Sequence, residues 1–275
     1  MATVEAQRIG ITASRRRRRL SKMGIVATQV GILVVLLLLW QFLVTSATLP
    51  YFSRPTLIAA KLWELLSHHQ IYRHISVTLT EIAIGYAMGA GFGLSLGFVL
   101  GRSQFLSAAL QPYIIGLYSI PKIALAPVFI VWLGLGMASK VAVVFVASFF
   151  LVFFNTYSGL MSINEELVQL ARLMGASWPQ VTMRVILPAA ADQVFLGLRT
   201  AVPYAVIGAV IGEYIGSNEG LGYFILYASQ TYDASALFAG IIILVAIVFS
   251  ANFGLSWLER RIIRWRRIEG QTVQL

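Results

Sequence analysis

The chain has no cysteine and very little charge: only 12% of its 275 residues are Asp, Glu, Lys or Arg, against about 25% in a typical soluble domain. The first absence excludes disulfides and thiolate metal sites. The second, set beside 58% hydrophobic residues, excludes a soluble fold, because no water-exposed domain of this size can hide so much apolar surface. Chemical motifs are missing too. No G-x-x-x-x-G-K-[ST] loop is present to cradle nucleotide phosphates, and no H-E-x-x-H binds a catalytic metal. His68, His69 and His74 come nearest to a metal cluster. No carboxylate or cysteine accompanies them at ligand spacing, so a solvated group beside a membrane face explains them better. With no acid–base pair or nucleophile in view, the chain reads as neither an enzyme nor a cofactor carrier.

Basic residues are there in excess, 21 against 11 acidic, for a net charge of +10. Such a balance fits nucleic acid or a membrane, and placement decides between them. Seven of the 21 lie before residue 23 and five after residue 259, where charges flanking apolar runs set membrane orientation. The partner they imply is lipid, not nucleic acid. Met1 to Lys22, with the run Arg15 to Arg19, is expected to be a cytoplasmic tail without regular structure. Gly24 to Val44 is long enough to cross the hydrocarbon, which takes about 20 apolar residues. It has no small-residue cleavage site and reads as a retained anchor.

Leu49 to Ser76 is mixed in character and falls outside. Within it, Pro55 to Leu66 is patterned as an interfacial helix, with Leu57, Leu62, Leu65 and Leu66 on one side. Ile75 to Gly101 is the second span. Gly85, Gly89, Gly93, Gly97 and Gly101 recur every four residues along it, a ridge without side chains on which another helix can pack closely. Glu81, near the outer end, either pairs with a cation or faces the bundle. Ser103 to Gly136 is taken as one crossing, kinked or broken at Pro121 and Pro127. Val141 to Leu160 is the fourth span, with Asn155 near its inner end as a candidate path residue. Ala189 to Gly216, the fifth, holds Asp192, Arg199 and Glu213. Asp192 and Arg199 are spaced for an ion pair, and Glu213 is the better candidate for lining a passage or its outer mouth. Gly208 and Gly212 repeat the four-residue ridge. Ser235 to Leu258 is the sixth span, followed by Arg260, Arg261, Arg264, Arg266 and Arg267. The fold expected is an all-α, polytopic bundle of about six spans with both termini inside.

One polar stretch, Asn164 to Pro188, interrupts the second half. Asn164 is a good N-cap, Glu165 and Glu166 suit a first turn, and Leu167, Leu170, Ala171 and Met174 fall on one helical face. Gly175 can take the positive φ that ends such a helix. Ser177 and Gln180 then form a capping box around Pro179. The apolar face either packs on neighbouring spans or fits a groove on another protein. Six crossings place this hinge on the cytoplasmic side.

The hinge resembles the cytoplasmic "EAA" loop of the membrane-spanning subunits of ATP-driven, binding-protein-dependent importers. The family pattern, Glu-Ala-Ala, three residues, Gly, nine residues, Ile, one residue, Leu-Pro, meets Gln169-Leu170-Ala171, then Gly175, Val185 and Leu187-Pro188. Gln169 and Leu170 depart from it. Ser119 to Gly136, SIPKIALAPVFIVWLGLG, is similar to a run typical of the nitrate, sulfonate, taurine and bicarbonate branch. The resemblance implies a type I ABC importer permease at a bacterial inner membrane. Its partners would be two ABC ATPase subunits, a second permease copy and an extracytoplasmic substrate-binding protein. ATP would be used by the partner. The docking residues it implies are Glu166, Gln169, Leu170, Ala171, Arg172, Gly175, Ala176 and Ser177. The contrasting class, a self-sufficient secondary carrier or channel, commonly shows internal repeats, and none is evident here.

Overall fold

Eleven helices and no strand make up the described residues, 2–45, 48–49 and 51–263 of a computed structural model. Five unbroken stretches are long and apolar enough to cross a bilayer: Met23–Leu43, Tyr72–Arg102, Met137–Met161, Trp178–Gly216 and Ala234–Ile262. They belong to α1 (Ala2–Leu43), α3 (Tyr72–Arg102), α6 (Met137–Met161), α9 (Leu187–Gly216, with the turns that lead into it) and α11 (Ala234–Ile262). The remaining crossing, 103–136, is not one helix. It is α4 (Gln104–Ser119), a 3-10 turn over Lys122–Leu125, and α5 (Ala126–Leu133). Pro121 forces Ile120 before it into extended backbone and ends α4, while Pro127 sits in the first turn of α5, where it has no hydrogen bond to lose. The segment still runs end to end: Ser107 meets Tyr157 low on α6, while Ile130 and Leu135 meet Gly216 at the far end of α9.

Contrary to the expectation of an irregular tail, the basic N-terminal stretch continues α1 as helix from Ala2. Arg, Ala, Gln and Glu are ordinary helix formers, and nothing from Thr3 to Lys22 is a proline to break the run. Arg264, Arg266 and Arg267 lie outside the described residues. The span of α1 is exposed along nearly its whole length, touching α11 through Trp40 and Phe238, whose rings meet edge-on at 5.4 Å.

The centre of the bundle is α6, held between α3 and α9. On α3, Gly85, Gly89, Gly93, Gly97 and Gly101 all face α6. A methyl group added at Gly93 would sit 2.8 Å from the Phe149 carbonyl, and one at Gly97 2.8 Å from Thr156 Cβ. On α9, Gly208 and Gly212 lie against Val144 and Lys140 of the same helix. With no hydrophobic force between helices in lipid, close backbone approach supplies the attraction.

α2 (Pro55–Ser67) caps one end of the bundle. Leu62, Leu65 and Leu66 pack with Ile71, Leu221, Ala239 and Ile243. Leu57, expected on the same side, is exposed, and Ile58 takes its place in the interior. Positions 58, 62 and 65, four and then three residues apart, share the face of α2 that turns inward.

Candidate functional site

Two constructions stand at opposite ends of the bundle, a hinge between α6 and α9 and a buried polar cluster beneath α10 (Leu221–Gln230).

The hinge begins with Asn164, whose side chain accepts a hydrogen bond from the Glu166 N–H at 2.9 Å and starts α7 (Glu165–Leu173). Its end is a Schellman turn. Gly175 takes φ +85°, its N–H donates to the Arg172 carbonyl at 2.9 Å, and the Ala176 N–H reaches back to the Ala171 carbonyl at 3.1 Å. Ala171 and Ala176 also share an apolar cluster with Val168, Leu160, Val181 and Ile186, which completes the motif. The Ser177 N–H then donates to Gln180 Oε1 at 2.8 Å, opening α8 (Trp178–Val181). A π turn over Thr182–Ile186 follows and runs directly into α9. Pro188 cannot donate to the carbonyl four residues back and crowds it, and the wider π turn relieves that conflict. The second hinge helix is therefore the start of the fifth span itself.

The face expected on α7 is divided. Ala171, with Val168, turns inward, whereas Leu167 and Leu170 are exposed and Met174 is 81% exposed. Leu173, adjacent on the helix, is 85% exposed. A nine-residue helix lying across the bundle end can rest only one edge on it, leaving an apolar surface outward. Glu166, Gln169, Arg172 and Ser177 are exposed with it. Gln169 also borders a cleft of about 250 Å3 with Arg102, Trp178 and Ile186.

Sequence reasoning missed how the hinge is fastened. Trp178 is flanked by two guanidinium groups, Arg102 at 4.3 Å and Arg172 at 5.0 Å from its ring centroid. Arg102 additionally donates from Nη1 to Thr182 Oγ1 at 2.8 Å. The end of α3 thus grips the segment that follows the turn.

At the other end, Glu213 of α9 is wholly buried. Its carboxylate accepts from Thr78 Oγ1 of α3 at 2.6 Å and from the Gly222 N–H. Thr78 in turn accepts from the Leu221 N–H at 2.8 Å, and His74 Nδ1 from the Gly220 N–H at 3.1 Å. The first amides of α10 are thereby satisfied by side chains of α3 and α9. Gly220 has φ +109°, and any Cβ there would collide with the Glu213 carboxyl. Glu81 faces the bundle, 1% exposed, with Lys140 3.5 Å away, and Lys140 also donates to Ser217 Oγ at 2.8 Å. His74 is thus a structural acceptor. Asn155 bonds to the Leu151 carbonyl at 2.8 Å and packs beneath Gly197, in the contact between α6 and α9. Arg199 pairs with Glu259 of α11 at 3.1 Å. Gly93-Leu94-Ser95-Leu96-Gly97 spells the G-x-S-x-G of a nucleophile elbow, but it lies inside α3, where Ser95 donates to the Gly91 carbonyl at 2.8 Å. The elbow needs a strand-to-helix turn, so Ser95 is an ordinary helix residue.

Comparison with known proteins agrees with this arrangement. Residues 89–264, more than half the chain, match the family described as "Binding-protein-dependent transport system inner membrane component". A putative aliphatic sulfonates transport permease, SsuC of Bacillus subtilis (strain 168), is 33% identical over 84% of this chain and 85% of its own. The taurine transport system permease TauC of Escherichia coli (strain K12) is 30% identical over 87% and 90%. The formylaminopyrimidine transport permease ThiX of Halalkalibacterium halodurans is 34% identical over 85% and 94%. In fold, the chain is similar to a chain of the MetNI methionine ABC transporter in an inward-facing conformation. The TM-score is 0.62 at 21% identity, over 70% of this chain and 95% of that one. The chain belongs to the family of binding-protein-dependent inner-membrane transport components: it is a multi-pass permease subunit of an ABC importer, a family that works with an ATPase and a substrate-binding protein.

Proposed function

We propose that two copies of this chain form the path for a small solute, with an ATPase subunit docked from the cytosol on each α7. The observation that carries this reading is the outward face of Leu170, Leu173 and Met174 on a helix whose other edge is anchored by Ala171 and Ala176. An exposed apolar face on a short, rigidly capped helix fits a groove on a partner. Glu166, Gln169, Arg172 and Ser177 set its register, while Gly175 makes the turn. The chain hydrolyses no ATP itself and binds no cofactor.

Closure of the two ATPases pushes α7, and the push has two routes into the membrane. One is covalent, through Trp178 into α9. The other runs through Arg102 into α3. Because α6 is clamped between those helices by glycine contacts, the three rock together and expose the path alternately. Asn155 lies in the α6–α9 contact, inside the body that rocks. Glu213 belongs to the outer mouth.

Both termini are cytoplasmic in this reading, since the basic residues concentrate there. Residues 1–22 and 259–275 are basic cytoplasmic flanks, 23–74 an anchor with an outer segment, and 75–258 the core. The solute is an organic sulfonate such as taurine or a small heterocycle, as the names of the relatives suggest, or nitrate or bicarbonate, as the resemblance of Ser119 to Gly136 implies. The test is Leu173→Arg in the reconstituted importer. Inserted protein at the normal level, with ATPase association and ATP-dependent uptake reduced at least tenfold, supports the reading. Normal association and uptake overturn it.

A further inference from the structure

Lys122 lies at the break between α4 and α5, deep in the membrane. Its Nζ is 5.4 Å from the ring centroid of Phe150. At about 1.5 Å per residue, Phe150 sits about 20 Å from the start of α6 and about 17 Å from its end. Lys122 is therefore level with the middle of that span. The adjoining Tyr118 ring, 3.8 Å from Nζ, packs edge-on against Phe154 at 4.7 Å. One N–H of the ammonium donates to the Tyr118 carbonyl at 2.8 Å. No carboxylate pairs with it among the described residues, and the side chain remains partly exposed.

Those facts conflict with a lipid-facing position. A charge at mid-depth is costly unless it faces the protein interior or water, and broken backbone at that depth is tolerated only beside protein or a cavity. Capping the end of α4 uses one donor of three. Among the described residues the other two have no hydrogen-bond acceptor, and the charge has no counter-ion. A passing solute with an anionic group supplies both. The paired charges elsewhere in the spans, Glu81 with Lys140 and Arg199 with Glu259, are already matched.

We propose that Lys122 is the solute-contacting residue of the path, taking the sulfonate, carboxylate or comparable anionic group of the solute as it crosses the middle of the membrane. The inference rests on the permease reading above. Specificity then has two stages, selection by the external receptor and a requirement for negative charge at the break.

The absence of cysteine gives a direct test. Ser119→Cys, at the end of α4 three residues before Lys122 and exposed, is introduced into the complete importer, with Lys122 retained or changed to Met or Arg. Reaction rates with the anionic 2-sulfonatoethyl methanethiosulfonate and the cationic trimethylammonioethyl reagent are measured with and without ATP. With Lys122 present, the anionic-to-cationic rate ratio is expected to be about tenfold higher than in Lys122→Met, with Lys122→Arg restoring it. Equal ratios in the Lys122 and Lys122→Met backgrounds overturn the proposal, as does failure of both reagents to react in either nucleotide state. ATP-dependent uptake measured on the same vesicles separates the outcomes: uptake with unchanged ratios sinks the role of Lys122 alone, while uptake independent of the ATPase sinks the permease reading.

Discussion

Gly175 and Glu213 carry the sharpest residue-level consequences. Gly175 holds φ +85° in open space, so a side chain there meets no neighbour and costs only backbone strain, about 1–3 kcal/mol for a β-branched residue. Gly175→Val should leave insertion intact while reducing uptake per ATP hydrolysed, measured as a coupling ratio in proteoliposomes. Glu213→Ala strands the Thr78 hydroxyl and the Gly222 N–H in a dry interior, at about 1–3 kcal/mol each. It should lower the thermal midpoint in detergent and speed proteolysis between Ser217 and Gly222. An unchanged midpoint would contradict the cluster as described. Gly175 was legible because a capped helix followed by glycine is a local pattern. The partners of Glu213 were not: Thr78 and Gly222 come from two other elements, and the apolar run beginning at Val141 left Lys140, the partner of Glu81, outside the span.

Among the elements, the ridge on α3 was readable, since a period of four returns to one helical face whatever the partner. Which helix it meets was not readable, because Val144, Phe149 and Thr156 of α6 carry no mark of their complement. Gly93→Leu should separate α3 from α6 and sharply reduce folded yield, measured by size-exclusion profile, whereas Gly91→Leu, in open space on the same helix, should not. Equal losses would show that the ridge is incidental. The hinge was legible as helix–glycine–helix, yet the division of the face of α7 was not. Spacing groups Leu167, Leu170, Ala171 and Met174 together, and only the tilt of α7 across the bundle end decides that Ala171 turns inward. The hold of Arg102 on Trp178 was equally hidden. Arg102→Ala should preserve ATPase association but weaken coupling, with Arg102→Lys intermediate because it keeps the charge and loses the planar stacking. Full coupling in Arg102→Ala would leave α9 as the sole route.

On the scale of the molecule, composition alone identified the solvent as lipid, and the turn residues of the hinge are where the proposed partner docks. The broken crossing was legible from Pro121 and Pro127, though not its division into two helices. The central claim is that α7 faces the cytosol and is covered there by a separate ATPase. It is tested most directly with Gln169→Cys, the only thiol in the chain, and a membrane-impermeant maleimide applied to sealed vesicles of each orientation. Labelling from the cytosolic side, suppressed at least tenfold when the ATPase is bound, is the result expected. Labelling from the outer side alone, or at the same rate with and without the ATPase, would contradict it.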